Sequence, residues 1–145
     1  MIARIKTKTQ PQRLADIIKT HIAPTMKSLG FKRKNKWFGK EGKDYTTSMH
    51  ITSGKWNTKQ EVSFALSLYV FQKHISGSSK PVAYERVGRL KTGQDTWYEL
   101  TPEINAEQLG QQVKQDILTY AVPFFSDLDK KDFTPYQTFL RHISF

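Results

Sequence analysis

The segment that most constrains the fold is residues 60–72, because both of its faces are apolar. Apolar side chains recur at every second position, which is the period of a β-strand. The positions between them hold serine, alanine, tyrosine and phenylalanine, and this second face is too apolar for open solvent. The sequence therefore predicts a strand in the centre of a sheet.

Weaker strand patterns lie on both sides of this segment along the chain, and glycine-containing turns separate the earlier ones. The predicted flanking strands are residues 31–38, 45–53, 82–90 and 96–100. Turns are predicted at 39–44 and 53–59, and a flexible loop at 73–81.

Two amphipathic helices enclose the strands, at about residues 11–29 and 103–122, because apolar residues recur there at spacings of three and four. Pro24 predicts a kink or a break in the first helix, and Pro123 ends or kinks the second. Gly30 supplies the left-handed residue after the first helix. A short last helix is predicted to open at Thr134.

The order of helix, antiparallel meander, helix and helix indicates an α+β fold. We expect a mainly antiparallel sheet of about four to five strands, with the N-terminal and C-terminal helices packed on one face. The length of 145 residues predicts a single domain spanning residues 1–145.

Composition excludes several classes of site. The chain has no cysteine, which excludes disulfides, a thiol nucleophile and cysteine-ligated metals. No secretory signal and no apolar run long enough for a membrane span is evident, so we expect a cytoplasmic protein with no membrane partner. No pattern points to a cofactor.

The net charge of +10 is concentrated in the first part of the chain. Residues 1–60 hold fourteen Lys or Arg and three acidic residues, whereas residues 61–145 are almost balanced. An asymmetry of this kind favours a polyanionic or acidic partner.

The strongest binding candidate is a predicted basic hairpin with interleaved aromatic residues. Cations neutralise phosphates, and aromatic rings give bases a stacking surface. If residues 31–38 form one strand, Lys32, Lys34 and Lys36 point one way and Arg33 and Trp37 the other. The candidates of this region are Lys32, Arg33, Lys34, Lys36, Trp37, Lys40, Lys43, Lys55, Trp56 and Lys59.

A structural alternative explains the same lysines, since lysines on an edge strand prevent edge-to-edge aggregation. A second basic patch is formed by Arg86, Arg89 and Lys91, next to glycines but without a phosphate-loop pattern or a following helix. A strand with a turn is the preferred interpretation there, and these arginines would extend a basic sheet surface.

Catalytic and metal sites have little support. The four histidines are scattered and lack metal-ligand spacing, so no metal site is predicted. His50, between Ser48 and Thr52 on one strand face, is the one candidate general base, but nothing in the sequence gives it an orienting carboxylate. No catalytic residue is assigned.

We therefore favour a non-catalytic binding module whose basic half, residues 1–60, docks on a polyanion, in the first place nucleic acid. The alternative is an immunity- or antitoxin-like module that binds an acidic protein. Exposed Trp37 and Trp56 among lysines would favour nucleic acid, whereas an apolar patch around Phe71 or residues 136–145 would favour a protein partner or a homodimer. A small hydrolase or transferase is a third hypothesis.

One group of short motifs resembles a known family. The helix end Leu29-Gly30-Phe31-Lys32-Arg33, then Trp37-Phe38, the long alternating strand and the late Trp97-Tyr98-Glu99-Leu100 resemble an uncharacterised bacterial family, domain of unknown function 4304. The resemblance covers about residues 12–125. It implies a small stand-alone α+β protein, and it supplies no activity and no catalytic residues.

Overall fold

Six antiparallel strands form one sheet with helices on one face, and the computed structural model describes it over residues 7–73 and 80–126. The strands are β1 (Lys32–Lys34), β2 (Trp37–Glu41), β3 (Tyr45–Ser53), β4 (Val62–Gln72), β5 (Ala83–Arg86) and β6 (Tyr98–Leu100). Strands β1 to β5 follow one another as a meander. The predicted α+β architecture is confirmed.

Strand β4 is the centre of the sheet, as its two apolar faces predict. One edge pairs with β3 along nine residues, from Tyr45 opposite Gln72 to Ser53 opposite Phe64. The other edge pairs with β5 towards one end and with β6 towards the other. β6 thus departs from the meander, because the chain returns to an unpaired stretch of β4.

The N-terminal helical segment consists of α1 (Gln10–Ile17), a π-helical turn (Ile18–Ile22) and α2 (Ala23–Ser28). Thr9 and Gln12 form a reciprocal capping box at its start. At its end Gly30 has φ +90°, and the Phe31 N–H bonds the Met26 carbonyl at 3.0 Å. The predicted left-handed helix end is confirmed.

The C-terminal helical segment has the same construction, with α4 (Ala106–Asp116), a π-helical turn (Ile117–Ala121) and α5 (Val122–Phe125). In both segments a proline follows the π-turn by two residues, at Pro24 and Pro123. Proline has no N–H and crowds the carbonyl four residues earlier. The wider turn is one way for a helix to continue past it.

Three predicted elements differ from the structure. Residues 31–38 do not form one strand, because the chain reverses at residues 35 and 36, where Asn35 adopts a left-handed φ of 56°. Residues 39–41 are therefore strand and not turn. The predicted strand at 82–90 ends at Arg86, and α3 (Val87–Thr92) follows it.

The core lies between the helices and one face of the sheet. Leu14, Ile17 and Met26 of the N-terminal segment, with Val113 and Ile117 of the C-terminal one, are buried in the same cluster as the inward strand residues. Those strand residues are Phe38, Met49, Ile51, Phe64, Leu66, Leu68 and Val70. The predicted helix at Thr134 lies outside the described residues.

Among residues 7–73 and 80–126, no helix has the length and apolar character that crossing a membrane requires.

Candidate nucleic-acid interface

The hairpin of β1 and β2 brings two lysines and a tryptophan to one side of the sheet. Lys34 lies directly opposite Trp37 in the register, and Lys32 lies opposite Gly39. Alternate residues of a strand share a face, and Phe38 points into the core. Lys32, Lys34 and Trp37 therefore share the face that is turned away from the helices, which we call the outer face.

Two rings on the outer face contact the Trp37 ring. Trp37 pairs with His50 on β3, and the ring centroids are 4.3 Å apart with an interplanar angle of 32°. The Tyr69 ring on β4 is 5.4 Å away. Even so, 43% of Trp37 is exposed. Trp37 is therefore not a core residue: its ring packs against two other rings and stays partly exposed near the lysines.

Lys36, in the turn of the same hairpin, completes the group that we call the hairpin cluster: Lys32, Lys34, Lys36 and Trp37. Its ammonium donates to the Ser53 hydroxyl at 2.8 Å, which ties the hairpin turn to the end of β3. All four residues are exposed. The cluster combines three cations with one stacking surface within a few residues.

His50 belongs to a hydroxyl network beneath Trp37. Its Nδ1 lies 2.9 Å from the Thr52 hydroxyl, which lies 2.8 Å from the buried Ser67 hydroxyl. Burial, and secondly the charge of Lys36, lower the pKa of His50, so the ring is neutral at neutral pH. No carboxylate among the described residues is hydrogen-bonded to His50, so the geometry supplies no orienting acid for a general base.

Two predicted binding residues are turned to the helix side of the hairpin. The Arg33 guanidinium lies 6.0 Å from the Phe38 ring centroid, and its Nε donates to the Asn35 carbonyl at 2.8 Å. The Lys40 ammonium donates to the Leu29 carbonyl at 3.1 Å. The expectation that Arg33 shares a face with Trp37 and that Lys36 shares one with Lys32 and Lys34 is wrong, because the reversal at residues 35 and 36 interrupts the alternation.

Four other candidates lie in connections outside the hairpin cluster. Lys43 is in the turn between β2 and β3, at the opposite end of β2 from Lys36. Lys55, Trp56 and Lys59 lie in the connection from β3 to β4. Trp56 is 85% exposed, and the Lys55 ammonium is 5.7 Å from its ring centroid. This second basic and aromatic group is separate from the hairpin cluster.

The two arginines of the second patch have acidic partners. Arg86 lies on the outer face at β5, its guanidinium bonds Asp95 at 2.6 Å, and it covers the Trp97 ring at 4.9 Å. Arg89 lies in α3, where its Nε bonds the buried Glu85 at 3.2 Å. The interpretation of this stretch as a strand with a turn is wrong from Val87 onwards.

Tyr69 and Asp116 are structural features that the sequence reasoning missed. Tyr69 supports Trp37, and burial raises the pKa of its phenol to about 12. Asp116 accepts hydrogen bonds from Tyr98, Gln112 and Lys91 in the core. Asp116 follows Val113 by three residues on the buried side of the helix, and a carboxylate at a buried position needs hydrogen-bond or charged partners.

A family model described as Domain of unknown function (DUF4304) matches residues 22–127. No curated protein and no solved structure matches the chain.

Proposed function

This chain belongs to the family described as Domain of unknown function (DUF4304), and that description names no activity. We propose that the protein is a non-catalytic module that binds single-stranded nucleic acid. The observation that carries the proposal is the hairpin cluster, where the exposed Trp37 ring lies beside Lys32 and Lys34 on the outer face. We also propose that the protein is cytoplasmic.

Support for a single strand comes from the way Trp37 is held. Its ring lies close to His50 and Tyr69, at centroid distances of 4.3 and 5.4 Å, while 43% of the residue stays exposed to solvent. A ring fixed in this way offers a stacking surface to a base that is already unstacked. In a duplex the bases are stacked on one another, so a strand without pairing is the better ligand.

The lysines supply the second part of the interaction. Lys34 lies opposite Trp37 in the hairpin. Lys32 precedes Lys34 by two residues, and Lys36 is the residue before Trp37. Long flexible cations beside a stacking surface contact the phosphates that flank the bound base. For a single strand, each neutralised phosphate contributes about −0.7 to the slope of log K against log salt. The two lysines that share the outer face with Trp37, Lys32 and Lys34, predict a slope of about −1.4.

The test is a fluorescence-anisotropy titration of a short labelled single strand of mixed sequence, with a duplex of the same sequence for comparison. Trp37→Leu is expected to weaken single-strand binding by about 1–3 kcal/mol, roughly 5- to 150-fold, without changing the salt slope. Lys34→Gln should reduce the slope by about 0.7. Lys114→Gln, an exposed lysine on α4 with the same charge change, is the matched control and should leave both unchanged.

Three results would overturn the proposal. If the single strand does not bind at about 50 mM salt, the lysines are better explained as residues that prevent aggregation at the sheet edge formed by β1. A loss from Trp56→Leu with none from Trp37→Leu would show that the hairpin cluster is not the site. If neither substitution weakens binding of the oligonucleotide, stacking plays no part in it.

A further inference from the structure

A cavity of about 210 Å³ lies on the helix side of the sheet, beneath the ends of both helical segments. It is therefore separated from the outer face by the sheet itself. Apolar side chains from four parts of the chain line it: Met26, Leu29, Phe31, Ile117, Ala121 and Phe125. The cavity is partly open to solvent, so a small molecule has a route of entry.

Among the described lining residues the one cation is Lys40, whose side chain is exposed to solvent. Lys40 lines the cavity, and its ammonium lies 5.8 Å from the Phe31 ring centroid. The ammonium donates one hydrogen bond, to the Leu29 carbonyl at 3.1 Å, and has three protons to donate. No carboxylate of residues 7–73 or 80–126 forms an ion pair with Lys40, so its charge is not neutralised by the described part of the chain.

The C-terminal helical segment forms one wall of the cavity. Ile117 and Ala121 are the first and last residues of its π-helical turn, and both face the cavity. The turn places the small side chain of Ala121 against the cavity.

The size of the space limits the ligand. A cavity of about 150 Å³ with apolar walls accommodates benzene. A cavity of about 210 Å³ therefore takes one ring with a short side chain, or an alkyl chain of roughly six to eight carbons. Its apolar walls favour a hydrocarbon body, and the cation at Lys40 favours a negatively charged head group.

We propose that this cavity binds a small carboxylic acid with an apolar body, such as a medium-chain or aryl carboxylate. The hydrocarbon lies between the two helical segments and the sheet, and the carboxylate pairs with the ammonium of Lys40. The site is distinct from the hairpin cluster, and the two proposals stand or fall separately.

Isothermal titration of the full chain with octanoate, and with octanol as the neutral match, tests the proposal. One octanoate per chain is expected, with octanol bound at least about tenfold more weakly because it lacks the charge–charge contact. Lys40→Met keeps the apolar stem and should weaken octanoate at least about tenfold while leaving octanol unchanged. Lys114→Met is the matched control and should bind octanoate as the original chain does.

A second measurement locates the site without any substitution. With methyl-labelled methionine, octanoate should shift the Met26 signal, since Met26 lines the cavity, and leave Met49, which is buried outside it, unchanged. No saturable binding below about 1 mM, equal affinity for octanoate and octanol, or shifts that spare Met26 would each overturn the proposal.

Discussion

Replacing Asp116 by asparagine should destabilise the protein far more than the same replacement at Asp16. The Asp116 side chain is 3% exposed, and it accepts hydrogen bonds from the Tyr98 hydroxyl at 2.6 Å and the Gln112 amide at 2.8 Å. The Lys91 ammonium lies 3.2 Å from the same carboxylate. These partners come from β6, α4 and α3, so one carboxylate joins three elements.

The expected magnitude follows from this geometry. Removing one partner of a buried ion pair costs about 3–5 kcal/mol. Lys91 is 36% exposed, so water retains part of its solvation, and asparagine keeps one acceptor oxygen. The free energy of unfolding should therefore fall by about 2–3 kcal/mol, which corresponds to a Tm lower by roughly 5–10 °C. Asp16 pairs with Lys8 at the surface, and its replacement should cost less than about 1 kcal/mol.

Urea denaturation followed by circular dichroism measures both variants against the original chain. The slope against urea should be the same for all three, so that the midpoints report stability. If Asp116→Asn lost no more stability than Asp16→Asn, the argument that this carboxylate holds α3 and β6 on α4 would be refuted.

Two further substitutions test separate features. A Cβ at Gly88 would lie 1.9 Å from the Thr96 carbonyl oxygen, so Gly88→Ala should lower the free energy of unfolding by about 1–3 kcal/mol, and an unchanged urea midpoint would contradict this close approach. Because burial and Lys36 lower the pKa of His50, the unfolded chain takes up this proton first as the pH falls below about 6.5. Stability should therefore be full above that pH and fall as the pH falls through the folded pKa. In urea denaturations at a series of pH values, His50→Gln should reduce the loss of unfolding free energy at low pH. An identical pH dependence in both proteins would contradict this.

Much of the fold was predictable because its signals are local. The alternation of residues 60–72 requires only the period of a strand and the apolar character of both faces to place β4 centrally. The end of the first helical segment at Gly30 and Phe31 depends on one residue with a left-handed φ. Each of these features is decided by a few neighbouring side chains.

The site was predicted only in part, since the face on which a strand residue lies depends on register. Lys32, Lys34 and Trp37 were identified by composition, but Asn35 reverses the chain between them. A reversal of this kind changes which residues share a face, so the pairing of Trp37 with His50 did not follow from alternation. The support from Tyr69 needed the register of two further strand pairs.

Elements that depend on distant contacts were not predictable from their own sequence. α3 is a six-residue helix after β5, and its Arg89 is held by Glu85 while Lys91 is held by Asp116. A helix this short gains little from its own hydrogen bonds, so tertiary packing decides whether it forms. The sequence around it contains glycine and arginine in an order that equally suits a strand and a turn.

The indole N–H signals of the three tryptophans, followed by NMR as a single-stranded oligonucleotide is added, show whether the strand binds at Trp37. Trp37 is in the hairpin cluster, Trp56 is in a separate connection, and Trp97 lies beneath Arg86. We expect a saturable shift of the Trp37 signal at low salt, reversed by added salt, with the Trp97 signal unchanged. If the oligonucleotide binds while the Trp37 signal does not move, the strand does not bind at the hairpin cluster.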